Sequence, residues 1–357
     1  MFFCIIFSEA IQRPIHPQFT FIFFILGLIF LWKILSENIF RKYIIYNFLL
    51  GILVGLLLYM YPYYWTTILA IYGTLIIYKI IKNKTNIWGL FIFLFSFLIT
   101  SIPYFLNLHE ASLNIFYSET LSRIGLFYTH FPTCYYNTLP VIFTLLLVIV
   151  FRSKIRDHNK MIYSLSLLFT ALLINWQNLI TGKYILFSTH YYMVTAFLVI
   201  TVIFIAINNL NNEFKIKSAF YLILLIIPLF YFSANNINHF KNLFSLSIPK
   251  EETNKQQEMK DIFDWLNSNT PKDSILYIID DKVREIMFPV YTHNNLYFNY
   301  FAGLFLMSDI EMEERWARKN IFNNNVNEQY IADNYFDIWV SKFLEELISP
   351  GYTEPVG

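Results

Sequence analysis

Eight apolar stretches, each close to the length that crosses a bilayer, recur between Phe19 and the region of Phe232. A helix spanning about 30 Å of hydrocarbon needs roughly 20 mainly apolar residues. The stretches at 19–35, 44–60, 64–81, 87–106, 131–151, 161–180, 186–207 and 218–233 approach that length, and none carries Asp, Glu, Lys or Arg in its centre. A soluble core offers too few positions buried on every side to account for so many such helices in succession. Composition points the same way: 56% of the 357 residues are hydrophobic and 14% charged, against about 25% charged in an ordinary soluble domain. The sequence therefore predicts an α-helical integral membrane protein with about eight transmembrane helices.

Charge divides the chain. Residues 1–240 hold six acids beside fifteen Lys and Arg, and residues 241–357 hold nineteen acids beside eleven bases, so the net charge of +1 combines +9 with −8. The expected organisation is a segment at 1–18, a membrane domain at 19–233, a polar linker at 234–254 and a water-facing domain at 255–357. No basic stripe suited to nucleic-acid phosphates is present. Cys4 and Cys134 are too far apart in sequence, and too poor in His neighbours, to suggest a disulfide framework or a metal motif.

Orientation follows from the connecting segments, because Lys and Arg near span ends favour the cytoplasmic side. Twelve bases fall in alternate loops: Lys33, Arg41, Lys42, Lys79, Lys82, Lys84, Arg152, Lys154, Arg156, Lys160, Lys215 and Lys217. Only Arg13, Arg123 and Lys183 precede the C-terminal region on the other side. This bias predicts a multi-pass protein of the cell inner (plasma) membrane whose N-terminal segment and C-terminal domain both lie outside the cytoplasm. Met1–Phe7 is apolar, too short to span, and lacks the basic region and cleavage site of a signal peptide. It reads as the tail of a span whose beginning is missing or as a short external interfacial segment that leads the chain.

Beyond the linker, Met259, Ile262, Phe263 and Leu266 stand at helical spacing within 255–267, with Pro271 as a stop. Ser274–Ile279 reads as a buried strand ended by Asp280 and Asp281. Helices are expected over Asp309–Lys319, capped by Ser308 or Asp309, and over Tyr335–Leu347. Helix, turn and strand in this order predict a small C-terminal α/β domain outside the membrane, with Phe263, Leu266 and Ile278 in its core.

Candidate chemistry gathers in the outside segments. Glu9, Arg13, His16 and Gln18 precede the first span, and Pro14 and Pro17 forbid a regular helix through them. A guanidinium there suits bidentate pairing with a lipid phosphate, or snorkels to headgroups. In the loop 107–138, Glu119 and Arg123 stand at i, i+4, the spacing of a helix-surface ion pair. Glu110, beside His109 at a span end, has no such partner and is the better candidate for a base or a ligand of a divalent metal ion. Gln177, Lys183 and His190 bracket the next outside loop. They serve either as packing glue between helices or as walls of an external polar pocket. Asp280–Asp281 resembles a sugar-nucleotide metal motif only superficially, because this topology keeps it away from cytoplasmic nucleotides.

The order of features resembles the bacterial multi-pass proteins of the GT-C glycosyltransferase superfamily. The likeness rests on many spans followed by an external C-terminal domain. Locally it rests on Arg13–Gln18, on Gln177–Lys183 with His190, on Trp265–Ser274, and on Pro289–Thr292 with Glu314 and Arg315. It implies a hexosyltransferase that moves a sugar, with inversion, from a polyprenyl-phosphate donor to an envelope acceptor on the non-cytoplasmic face. It also implies an acidic residue near the first external loop, which on this topology would precede Met1. Among residues present, such a reaction assigns Arg13 and Lys183 to the lipid phosphate and Glu110 to the base or metal. His16, Gln177 and His190 become pocket residues. The rival readings are a lipid or glycan flippase or transporter, and a non-catalytic envelope assembly protein. Span centres free of ionisable residues argue against ion coupling.

Overall fold

The computed structural model describes residues 18–82, 87–123, 126–128, 135–150, 157–185, 189–210, 259–278, 287–298 and 305–334. The expected span at 218–233, the linker, Asp280–Asp281 and the helix at 335–347 lie outside these residues, as do Arg13 and His16. Two compact units emerge.

Among the described residues, the first unit draws on 18–108, 135–182 and 189–210. Its helices are α1 (Gln18–Ser36), α2 (Phe40–Met60), α3 (Pro62–Ile81), most of α4 (Ile87–Ser112), α6 (Tyr135–Val150), α7 (His158–Asn175), the short α8 (Gln177–Thr181) and α9 (Thr189–Leu210). Five segments are long and apolar enough to cross a membrane: Phe19–Ser36, Phe40–Met60, Pro62–Ile81, Ile87–Ser112 and His190–Asn208. Their outer faces remain apolar. On α4, Trp88, Phe91, Leu98 and Ile102 are all more than half exposed, an uncovered patch that water would penalise and lipid would not. The chain is an α-helical membrane protein.

Several expected boundaries shift. Within the stretch expected at 131–151, the described residues Tyr135–Val150 are helical. The one expected at 161–180 begins earlier, at His158, where the Asp157 carboxylate accepts from the amides of Asn159 and Lys160 at 2.9 and 3.3 Å. It ends at Asn175, and Gln177–Thr181 forms a separate turn closed by Gly182 in the left-handed region, φ 67°. Between α2 and α3 the break is one extended residue, Tyr61, with Pro62 at the first helical position.

Polar side chains tie these helices together where hydrocarbon offers no alternative partner. The Tyr72 hydroxyl donates to Asn47 Oδ1 at 2.7 Å, and Asn47 Nδ2 donates to the Tyr43 carbonyl at 2.8 Å. Tyr163 donates to the Leu28 carbonyl at 2.8 Å, Asn175 to Thr195 Oγ1 at 3.0 Å, and buried Lys79 to the Ile34 carbonyl at 2.7 Å in the last turn of α1. That lysine also lies over the Tyr43 ring, so its burial is compensated by two contacts that favour a cation.

The second unit combines 109–128 and 183–185 with 259–334. It contains the last turn of α4, α5 (Tyr117–Arg123), β1 (Leu126–Tyr128), β2 (Lys183–Ile185), α10 (Lys260–Asn269), β3 (Ile275–Leu276), α11 (Phe288–Tyr291), β4 (Asn295–Leu296), α12 (Asp309–Lys319) and α13 (Glu328–Asp333). β1 and β2 pair antiparallel, and β3 and β4 pair parallel over two residues each. One small core packs Phe298, Met312 and Trp316 with Tyr330 and Ile331. Elsewhere Phe263 meets Phe288 edge-on and stacks on Tyr291, both at 5.3 Å. Phe263 and Leu266 are buried as expected and Ile278 is partly so.

Helix α12 matches its sequence signal at both ends, and Ser308 Oγ accepts from the Glu311 amide at 3.0 Å. The expected buried strand at Ser274–Ile279 is a correction. Among the described residues of that stretch, only Ile275–Leu276 is strand, and Ile275 is 68% exposed. Its ladder partner among the described residues, Asn295–Leu296, is equally short.

Candidate functional site

At the ends where α3 and α9 begin, four aromatic rings and an imidazole pack together. His190, in the first turn of α9, stacks on Tyr63 with ring centroids 5.0 Å apart, and its Nδ1 is hydrogen-bonded to the Tyr61 hydroxyl. Tyr61 packs on Tyr64 at 4.6 Å, and Tyr191 meets Tyr63 edge-on at 4.8 Å. The Tyr191 and Thr66 hydroxyls lie 3.0 Å apart. Local sequence explains the geometry: Pro62 starts α3 immediately, so Tyr61, Tyr63 and Tyr64 crowd one turn beside the start of α9. A half-buried imidazole backed by phenol rings offers a flat face for stacking and polar edges for hydroxyl or phosphate groups. Tyrosines at helix ends also mark the depth of the membrane–water boundary.

Gln177 opens α8, where the Thr181 hydroxyl donates to its backbone carbonyl at 2.9 Å and to its side-chain oxygen at 3.2 Å. The preceding Trp176 donates through its indole to Thr138 Oγ1 at 2.6 Å, joining the end of α7 to the start of α6. Gln177 and His190 belong to the first unit.

Glu110 and Lys183 belong to the second unit. Glu110 is exposed in the last turn of α4, next to exposed His109. Lys183 is the first residue of β2, in register with Tyr128 of β1. The ladder therefore joins two connections that the sequence assigns to one side of the membrane.

Arg123 and Glu119 are not a helix-surface pair. Arg123 is fully buried, and its guanidinium pairs with the Asp309 carboxylate and donates to the carbonyls of Phe305 at 3.0 Å and Met307 at 2.9 Å. Glu119 Oε2 accepts from the Asp309 amide at 2.6 Å. Both groups converge on the start of α12, which fastens the connection after α4 to the C-terminal region.

Among the described residues no three His, Cys, Asp or Glu side chains gather into a metal-binding group. Those residues offer no donor set with which Glu110 could hold a divalent ion.

Sequence reasoning missed the tyrosines around His190 because aromatic residues are abundant throughout this chain. The discriminating signal was the placement of Tyr61, Pro62, Tyr63 and Tyr64 at a break between two spans. Comparison with family models, with curated proteins and with solved structures gave no match.

Proposed function

We propose that this chain is a multi-pass inner-membrane glycosyltransferase of the GT-C kind, with eight spans and its loop-built second unit outside the cytoplasm. The observation that carries the proposal is the composition of that unit. The connections after α4 and α7 join the C-terminal region through the β1–β2 ladder and the Arg123–Asp309 pair. Candidate groups Glu110 and Lys183 are both in it. Lipid-linked sugar transfer needs such an assembly, because the donor phosphate sits at headgroup depth and the acceptor arrives from water.

In this reading the acceptor hydroxyl attacks the anomeric carbon of the donor sugar. Glu110 takes the hydroxyl proton as the new C–O bond forms. The bond between that carbon and the phosphate oxygen breaks, and polyprenyl phosphate leaves with the electron pair, its charge stabilised by Lys183. Within the first unit, His190 with Tyr61 and Tyr63 offers a stacking face suited to a sugar ring. The central turns of the five long helices contain no Asp or Glu, which favours transfer over ion-coupled transport.

Membranes carrying the protein are expected to transfer a radiolabelled hexose from a polyprenyl-phosphate donor to envelope glycan. Glu110→Gln should reduce the rate about 100-fold or more, the usual worth of a general base, at unchanged expression. Transfer at the wild-type rate by Glu110→Gln, or none by the wild-type chain, would contradict the proposal.

A further inference from the structure

A groove of about 640 Å³ runs along the first unit between α1, α7 and α9. One face of α9 lines it through Phe197, Ile200, Thr201, Phe204, Ile205 and Asn208, opposite Trp32 of α1 and Lys160 and Tyr163 of α7. Its floor is dry: Phe197, Ile200 and Tyr163 are buried, and the Tyr163 hydroxyl is spent on the Leu28 carbonyl. Its rim is open, with Phe204 56% exposed.

Two features select an occupant. From Phe197 to Asn208 the helix rises about 16 Å at 1.5 Å per residue, close to half of the roughly 30 Å hydrocarbon core, the depth of one leaflet. Lys160 in the first turn of α7 and Asn208 in the last turns of α9 close one end of a mainly apolar channel, along which the Thr201 hydroxyl donates to the Phe197 carbonyl at 2.8 Å. A long apolar slot ending in a cation and an amide complements an amphiphile with one chain and an anionic head.

We infer that this groove is a binding site for an anionic phospholipid of the leaflet at the Lys160 end. One acyl chain lies along α9 and the phosphate meets Lys160 and Asn208. On the loop-charge polarity that leaflet is the cytoplasmic one, opposite the side on which sugar transfer is proposed. The site therefore stands apart from the donor site and rests only on membrane embedding.

Trp32 provides the readout. The full-length protein is reconstituted in phosphatidylcholine containing a small fraction of phosphatidylglycerol brominated on its acyl chains. The difference in emission between wild type and Trp32→Phe isolates the quenching of Trp32. Brominated phosphatidylglycerol is expected to quench it at about fivefold lower mole fraction than brominated phosphatidylcholine, the worth of one Lys at an anionic surface. Lys160→Gln should abolish that preference while leaving quenching by brominated phosphatidylcholine unchanged. Equal quenching by the two lipids, or a preference that survives Lys160→Gln, would overturn the site and leave only solvating lipid. Absence of quenching by either lipid would overturn it too, since the chain's own 218–233 stretch or another protein segment would then fill the groove.

Discussion

Replacing Arg123 with Met is expected to destabilise the second unit by about 3–5 kcal/mol, the usual cost of leaving half of a buried ion pair behind. The guanidinium is 0% exposed and satisfies the Asp309 carboxylate, itself only 13% exposed, together with Thr120 Oγ1 and two carbonyls. Methionine fills the volume but removes the cation that those acceptors share. Glu119→Gln should cost far less, because an amide oxygen can still accept from the Asp309 N–H. The double replacement Arg123→Met with Asp309→Leu should recover most of the loss, since removing both partners also removes the stranded charge. Limited proteolysis of the full-length protein in detergent measures this, with cleavage in the 320–327 turn as the marker. An Arg123→Met protein as resistant as wild type would show that the buried pair does not hold the unit together.

Leucine at Gly51 is expected to be comparably damaging to the first unit. A Cβ at Gly51 would lie 2.0 Å from Ser96 Oγ and 2.5 Å from the Phe93 carbonyl, and one at Gly55 would lie 1.8 Å from Thr100 Oγ1. The serine hydroxyl can rotate away, whereas the Phe93 carbonyl is helix backbone, so α2 and α4 must separate. Small residues four apart permit this approach, which is the usual basis of tight helix packing in lipid. Loss of about 3 kcal/mol or more is expected for Gly51→Leu, at the upper end of overpacking costs. Gly73 supplies the control, because a Cβ there meets nothing within 4 Å. Gly73→Ala should be neutral or gain up to about 1 kcal/mol from helix propensity. Unfolding in mixed detergent micelles reads both variants, and equal midpoints for Gly51→Leu and Gly73→Ala would refute the close contact.

Parts of this organisation are legible in the sequence because they depend on neighbours along the chain. Long apolar runs give α1 to α4 and α9, since a helix that must satisfy its own backbone in hydrocarbon needs only length and composition. Ser308 with acids in the following turn gives the start of α12 for the same local reason. Arg123 shows the limit. Its local neighbour Glu119 made a surface pair the natural reading, while its actual carboxylate stands 186 positions away at Asp309, and no pattern in the sequence connects them. Gly51 and Gly55 carry a readable spacing, but their partners on α4 become evident only in three dimensions. The tyrosines around His190 were obscured in another way, by a composition so aromatic that a meaningful cluster resembled its background.

The side of the membrane on which the second unit lies is the claim on which the proposed chemistry depends, and impermeant thiol labelling tests it most directly. On a background with Cys4 and Cys134 replaced, Lys272→Cys probes the second unit, at a residue that is exposed. Lys82→Cys and Asn159→Cys probe the connections rich in bases. In intact cells Lys272→Cys is expected to react, while Lys82→Cys and Asn159→Cys react only after lysis. Labelling of Lys272→Cys only after lysis, with Lys82→Cys and Asn159→Cys reactive in intact cells, would reverse the polarity and remove the basis for sugar transfer outside the cytoplasm.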